Sequence, residues 1–297
     1  MAKAFMSWVG GKQRLLPKLV PYLPARLGRG EIKRYAEPFL GAGSMFFHVA
    51  SSGYGVQEFF LLDLNERLIW LYVAIRDDVG GVIERLREIE SEFVPLPVEL
   101  QSEYYYEMRT LFNEFTVSDM ASSPVTFAAV FLFLKRTVYG GLYRTNSSGE
   151  FNASFCNKHV DRIVFPDVLL RASETLRSAD LVVGDFSECI AFVDGSTLVY
   201  MDPPYVPVSK TSNFSSYTDQ GFSMSDHDRL RHVCNVVDQR GGMVMLSNSD
   251  FDGVDEYYNP MRVNRVRTKR TVAAYQIKNS RVNEVVVTNY DEFLGNT

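Results

Sequence analysis

Apolar positions along the chain fall into two patterns: short continuous runs suited to buried strands, and runs spaced for one face of a helix. IKRYAEPFLGAGSMFFHVA (32–50) reads as strand, glycine turn and helix, and EFFLLDLNERLIWLYVAIRD (58–77) repeats the pattern with an acid and an asparagine at the strand end. LVVGDF (181–186) and TLVYMDPPY (197–205) are two further strands. SMSDHDRLRHVCNVVDQRGG (223–242) predicts a helix opened by Ser225 and Asp228 as a capping box, with Leu230, Val233, Val236 and Val237 on one side and a stop at Gly241. MVMLSNSD (243–250) is the next strand, and residues 262–267 and 284–290 form a closing hairpin. The expectation is an α/β protein with a Rossmann-like sheet.

Residues 79–165 break the alternation. VIERLREIESEF, LQSEYYYEMRTLFNEF and SPVTFAAVFLFLKRT predict three helices with no strand between them, and YGGLYRTNSSGEFNASF (139–155) predicts a hairpin about the turn Asn146-Ser147-Ser148-Gly149. A helical module spanning 77–165 is therefore expected inside a core domain made of 1–76 and 166–297.

Composition narrows the class without naming a function. At 297 residues, 46% hydrophobic and 23% charged, the chain can bury a sizeable core. No apolar run approaches the ~20 residues that cross a bilayer, no leader pattern opens the chain, and a cytoplasmic location is expected. Cys156, Cys189 and Cys234 are far apart, odd in number and without CxxC spacing, which fits reduced thiols and argues against a zinc site or a disulfide framework. The net charge of −5 argues against a polyanion partner, yet Met261 to Arg281 carries seven lysines and arginines and no acid. Alone, such a run is a solvated face.

The chemistry lies at two strand ends. FLGAG places Gly41 and Gly43 between a strand and a helix, where missing Cβ atoms let backbone approach a ligand, while Phe46 stands where a dinucleotide fingerprint wants a third glycine. Asp63 closes the next strand, as an acceptor for ribose hydroxyls or as the cap of the helix starting near Asn65. Together, glycine turn and acid point to a nucleoside ligand. In Asp202-Pro203-Pro204-Tyr205 the prolines fix the backbone and remove both N–H donors. The Asp202 carboxylate and the Pro203 carbonyl then make paired acceptors for an amino group, and the Tyr205 ring offers a face for a planar ring to stack on. Holding both hydrogens of a conjugated amine frees its lone pair to attack a sulfonium methyl. Orientation supplies most of the catalysis; the chemistry calls for no metal, and no metal-spaced cluster of His, Asp and Glu is seen.

With these motifs in order, together with SWVGGKQRLLP near the start and RVNEVVVTNY near the end, nearly the whole chain resembles the Dam-type DNA adenine-N6 methyltransferases, in the arrangement with an inserted target-recognition domain. The resemblance implies S-adenosylmethionine as methyl donor, contacted by Trp8, Lys12, Gly41, Gly43, Asp63, Asp185 and Asp202. It implies a loop Asp202 to Tyr205 gripping an adenine flipped from double-stranded DNA, and a hairpin in which Arg144, beside Leu142, reads guanine. Beside that chemistry, Arg267 and Lys269 become phosphate contacts. A monomer is the family expectation, with room for a cognate restriction endonuclease as partner and no membrane.

The chain departs from the pattern at Gly140, where better-known members carry asparagine, at Ser154, where they carry proline, and at CNKHV (156–160). GATC or a related short site is the expected target. Two other readings stay open on the residues: a methyltransferase for cytosine N4 or a glutamine side chain, against which Asp at 202 weighs, and an inactive DNA-binding homologue.

Overall fold

A computed structural model describes residues 2–8, 10–205, 222–269 and 281–296, with backbone alone for 267–269, 281–283 and 296. In chain order the elements are α1 (Leu16–Leu19), α2 (Ala25–Gly28), β1 (Arg34–Glu37), α3 (Ser44–Ser51), β2 (Glu58–Asp63), α4 (Glu66–Asp77), α5 (Val79–Phe93) and α6 (Val98–Glu114). There follow α7 (Val117–Ser122), α8 (Pro124–Thr137), α9 (Pro166–Leu176), β3 (Ala179–Val183), β4 (Thr197–Met201), α10 (Met224–Gln239), β5 (Met243–Ser249), α11 (Val254–Tyr258), β6 (Arg262–Lys269) and β7 (Arg281–Thr288). The strands form a seven-stranded sheet in the order β3-β2-β1-β4-β5-β7-β6.

Contacts divide the chain into two compact units. One comprises residues 12–40, 53–64 and 184–297, the other 1–11, 41–52 and 65–183. In the first, β1 pairs in parallel with β2 and β4, β4 in parallel with β5, and β7 runs antiparallel to both β5 and β6. Every residue of β4 is buried, as expected of a central parallel strand covered on both faces. Its core joins Val199 and Met201 to Leu230, Val233 and Val237 of α10 and to Val244, Leu246, Val285 and Val287. Buried phenols find partners there: Tyr35 donates to Glu37 at 2.6 Å, and Tyr200 meets the Ser247 hydroxyl at 3.3 Å. The strand order reverses at the β1–β4 pair, and in open α/β sheets ligands bind outside the carboxyl ends of the strands at such a point.

The other unit is helical with an aromatic core. α8 buries ten of its fourteen residues, so FAAVFLFL is core as its all-round apolar pattern requires. Phe112, Phe127 and Phe131 interlock, with Phe112 and Phe127 stacked at 5.6 Å, and Phe133 packs edge-on against Phe93 at 5.0 Å.

Three local expectations change. A fourth helix, α7, lies between the second and third predicted ones, opened by a capping box of Thr116 and Asp119. The hairpin is reduced to isolated bridges, Val138↔Phe155 and Thr145↔Phe151, because Tyr139–Gly141 turns as a short 3-10 segment at its base. α10 starts two residues earlier than predicted: Ser223 and Asp226, not Ser225 and Asp228, form its capping box. That register buries the His227 ring edge-on against Phe222 at 4.8 Å.

Candidate active site

β4 delivers Asp202 one residue past its last paired position, Met201↔Leu246, so the acid falls beside Ser247 of β5. The Ser247 hydroxyl donates to Asp202 Oδ1 at 2.7 Å, and the Lys12 ammonium reaches the same oxygen at 3.1 Å. Oδ2 accepts no hydrogen bond among the described residues, so the two carboxylate oxygens differ: Oδ1 carries two donors and Oδ2 none of those described. Burial raises the Asp202 pKa; the Lys12 charge and the bonds from Ser247 and Lys12 pull it back toward the ionised form. Lys12 Nζ also lies 4.1 Å from the centroid of the Tyr205 ring, and the Tyr205 hydroxyl donates to Glu284 at 2.9 Å. Burial, with the charges of Asp202 and Glu284 added, drives the Tyr205 phenol far above its ordinary value, so it is a donor only. Acid and ring of the DPPY motif thus lie together with Lys12, a juxtaposition the motif itself does not announce, and the prolines between acid and ring add no N–H.

The glycine turn belongs to the helical unit. Gly41 (φ +47°) and Gly43 (φ +63°) both sit in the left-handed region, where a side chain is strained, and a Cβ on Gly41 would lie 3.1 Å from Trp8 Cδ1. The Tyr72 hydroxyl donates to the Gly41 carbonyl at 3.0 Å and fixes the turn. Directly after it, at the start of α3, the buried Ser44 Oγ has no hydrogen-bond partner among the described residues.

Asp63 ends β2 half-buried, and its carbonyl accepts from Gly184 N at 3.2 Å. The α4 cap is Asn65, whose side chain accepts from Leu68 N, so Asp63 is not that helix's cap. Asp185 Oδ1 accepts from the Ser187 backbone and hydroxyl and from Arg229 Nη2 at 2.7 Å. Burial opposes ionisation there, but these donors outweigh it and hold the Asp185 carboxyl below its usual range. Arg229 lines a cavity of about 380 Å³ with Ser187, Asp228 and His232.

In the hairpin, Gly140 (φ +64°) and Gly141 (φ +66°) are both left-handed. Asparagine tolerates that conformation better than other side chains, which gives a backbone reason for its exchange with glycine at 140. Leu142 is 45% exposed. Arg144 is exposed, and its Nε and Nη2 bond the side chain and carbonyl of Asn152 at 2.8 and 3.2 Å. Its Nη1 makes no hydrogen bond among the described residues. Arg267 and Lys269 lie on β6 with backbone alone described, and the rest of the basic run, 270–280, falls outside the described residues.

Residues 8–272 match the family model of the D12 class N6 adenine-specific DNA methyltransferases. The chain belongs to this family. It is 35% identical over 290 residues to the Type II methyltransferase M.MjaIII of Methanocaldococcus jannaschii, covering 97% of this chain and 99% of that one. It is 32% identical over 290 residues to the Type II methyltransferase M1.LlaDCHI of Lactococcus lactis subsp. cremoris, covering 97% and 95%. To the DNA adenine methylase of Escherichia coli (strain K12) it is 31% identical over 286 residues, covering 96% and 94%.

As a D12 class enzyme the chain methylates adenine N6 in DNA, the main reading of its sequence. Sequence reasoning missed Ser247, Glu284 and Arg229. MVMLSNSD reads as a strand and RVNEVVVTNY as part of the family resemblance, but nothing local says that a serine in one and an acid in the other reach the loop after β4. Among the described residues no group of three or more His, Cys, Asp or Glu could hold a metal ion, and no helix is long and apolar enough to cross a membrane.

Proposed function

We propose that Asp202–Tyr205 is the catalytic loop and that the enzyme transfers a methyl group from S-adenosylmethionine to N6 of an adenine flipped from double-stranded DNA. The observation that carries the reading is the divided carboxylate of Asp202 beside the strand-order reversal: Oδ1 is held by Ser247 and Lys12, while Oδ2 accepts no hydrogen bond among the described residues. Oδ2 and the Pro203 carbonyl accept the two amino hydrogens, the Tyr205 ring stacks on the base, and the nitrogen lone pair turns out of ring conjugation. The donor supplies an electrophilic methyl group on sulfur.

Residues for the donor are Trp8, Lys12, Gly41, Gly43, Asp63, Asp185 and Asp202. Two left-handed glycines that bare the backbone, and the Ser44 hydroxyl next to them with no hydrogen-bond partner among the described residues, suit a polar ligand approaching the turn closely. Residues 77–165 serve as the DNA recognition domain, with Leu142 and Arg144 at the base edges of GATC or a related site and Arg267 and Lys269 on phosphates. The Nη1 end of the Arg144 guanidinium, left open by Asn152, suits that role. We take the enzyme as a cytoplasmic monomer, with room for a cognate restriction endonuclease as partner.

Incubation with tritiated donor and duplex DNA tests this. Wild-type protein should label DNA at adenine N6, and Asp202→Ala should abolish labelling while sparing DNA binding. Full transfer by Asp202→Ala would remove the loop from catalysis, and sequencing the modified DNA identifies the site.

A further inference from the structure

We infer that Glu284 of β7 is a positioning residue of the catalytic loop, acting on the base through Tyr205; this rests on the reading of Asp202–Tyr205 as catalytic. The sheet register brings it there. Met201↔Leu246 sets Asp202 beside Ser247, and Ser249↔Glu284 sets an acid of β7 two residues further along β5, where the chain leaving β4 carries Tyr205. The two neighbouring strands therefore each tether one functional side chain: β5 holds the Asp202 carboxylate through Ser247, and β7 holds the Tyr205 hydroxyl through Glu284 at 2.9 Å.

The consequence is geometric. A tyrosine on a proline-stiffened loop can still rotate about its side-chain bonds, and each orientation turns a different face to an incoming ring. Lys12 covers one face at 4.1 Å from the centroid. With the phenol end pinned to Glu284, the ring is held under that ammonium, and the adenine is assigned to the opposite face. Glu284 thereby sets the plane in which the base is held, and with it the angle at which N6 meets the acceptors on Asp202 and Pro203. An acid serves this purpose well, because an ionised acceptor makes a stronger bond than a neutral one and Tyr205 stays protonated to donate it.

The experiment compares Glu284→Ala, Glu284→Gln, Tyr205→Phe and the double variant Tyr205→Phe/Glu284→Ala as full-length protein, with tritiated donor and duplex DNA. Losing one hydrogen bond to a charged acceptor should lower kcat about tenfold in Glu284→Ala, with KM for DNA within about twofold. Glu284→Gln keeps an acceptor oxygen and should recover most of the rate. Tyr205→Phe should match Glu284→Ala, and the double variant should be no slower than either single one, because each change breaks the same bond. A merely structural acid would instead lower the melting temperature, and its losses would multiply with those of Tyr205→Phe. Wild-type kcat in Glu284→Ala, or multiplied losses in the double variant, overturns the inference. Should Glu284→Ala fail to fold, Tyr205→Phe removes the same bond from the other side, and a wild-type rate there overturns it equally. Full activity of Asp202→Ala is a separate outcome, which removes the catalytic loop itself.

Discussion

The Trp8 indole lies stacked on the Tyr143 ring, centroids 4.7 Å apart and planes 25° from parallel. Phe131 adds a tilted contact at 6.3 Å, and the Lys135 ammonium sits 5.4 Å from the indole centroid while donating to the Gly141 carbonyl at 2.6 Å. Trp8 therefore braces the hairpin base as well as standing beside the glycine turn. Trp8→Ala should destabilise the protein by about 2 kcal/mol and Trp8→Phe by less than half of that. Urea unfolding followed by circular dichroism checks it, and an unchanged midpoint in Trp8→Ala would show that the stack contributes nothing.

Gly41→Ala forces a side chain into the left-handed region and against the indole 3.1 Å away. The expected cost is about 1–2 kcal/mol of stability, with weaker donor binding because Trp8 must move. Calorimetric titration with S-adenosylmethionine measures the second effect. Binding at the wild-type constant would take the turn out of the donor site.

If Asp202 accepts the amino hydrogens as proposed, its ionised form is the active one, and a pH dependence follows. Burial raises its pKa and Lys12 opposes that rise, so the acid limb of kcat should lie above the ordinary aspartate range. Lys12→Ala removes the opposing charge and should move the limb to higher pH. For stability the sign is opposite: a pKa raised on folding gives a contribution that is full below the unfolded value and lost as pH rises through the folded one. Pre-steady-state rates from pH 5 to 9 decide the point, and a limb moving to lower pH in Lys12→Ala would contradict the assigned cause.

Arg229 and Asp185 form a partly exposed pair, side chains 50% and 36% exposed, so its worth is modest. Arg229→Ala should weaken donor affinity by about fivefold at most, through loosening of Asp185. Because the Asp185 pKa is depressed, its stabilising contribution is present above the unfolded aspartate value and lost as pH falls through the folded one. Donor titrations at two ionic strengths should show the difference from wild type shrinking with salt. A difference that does not shrink would mean Arg229 acts in another way.

Arg267→Ala and Lys269→Ala should each weaken binding to all duplexes alike and reduce the slope of log K against log salt by about 1. Altered sequence preference would instead assign these positions to base reading.

Local chemistry made much of the fold readable from sequence. Continuous apolar runs gave the strands, GxG gave a turn that only glycine adopts without strain at φ +47° and +63°, and DPPY declared a strand end without donors. Where the local signal was degenerate the reading slipped: Ser-x-x-Asp occurs at both 223–226 and 225–228, and burial of His227 against Phe222 selects the first as the cap of α10. The hairpin likewise had its turn residues, but the left-handed glycines 140 and 141 set its base as a 3-10 turn, not a ladder. Beyond local patterns the sequence was silent. It placed Asp202 and Tyr205 on one bend but said nothing of Ser247, 45 residues from the acid, or Glu284, 79 residues from the ring. Those pairings come from the register of β4, β5 and β7, which is set by burying the valines and leucines on their faces, and strands so packed carry their polar side chains to the loop as a consequence.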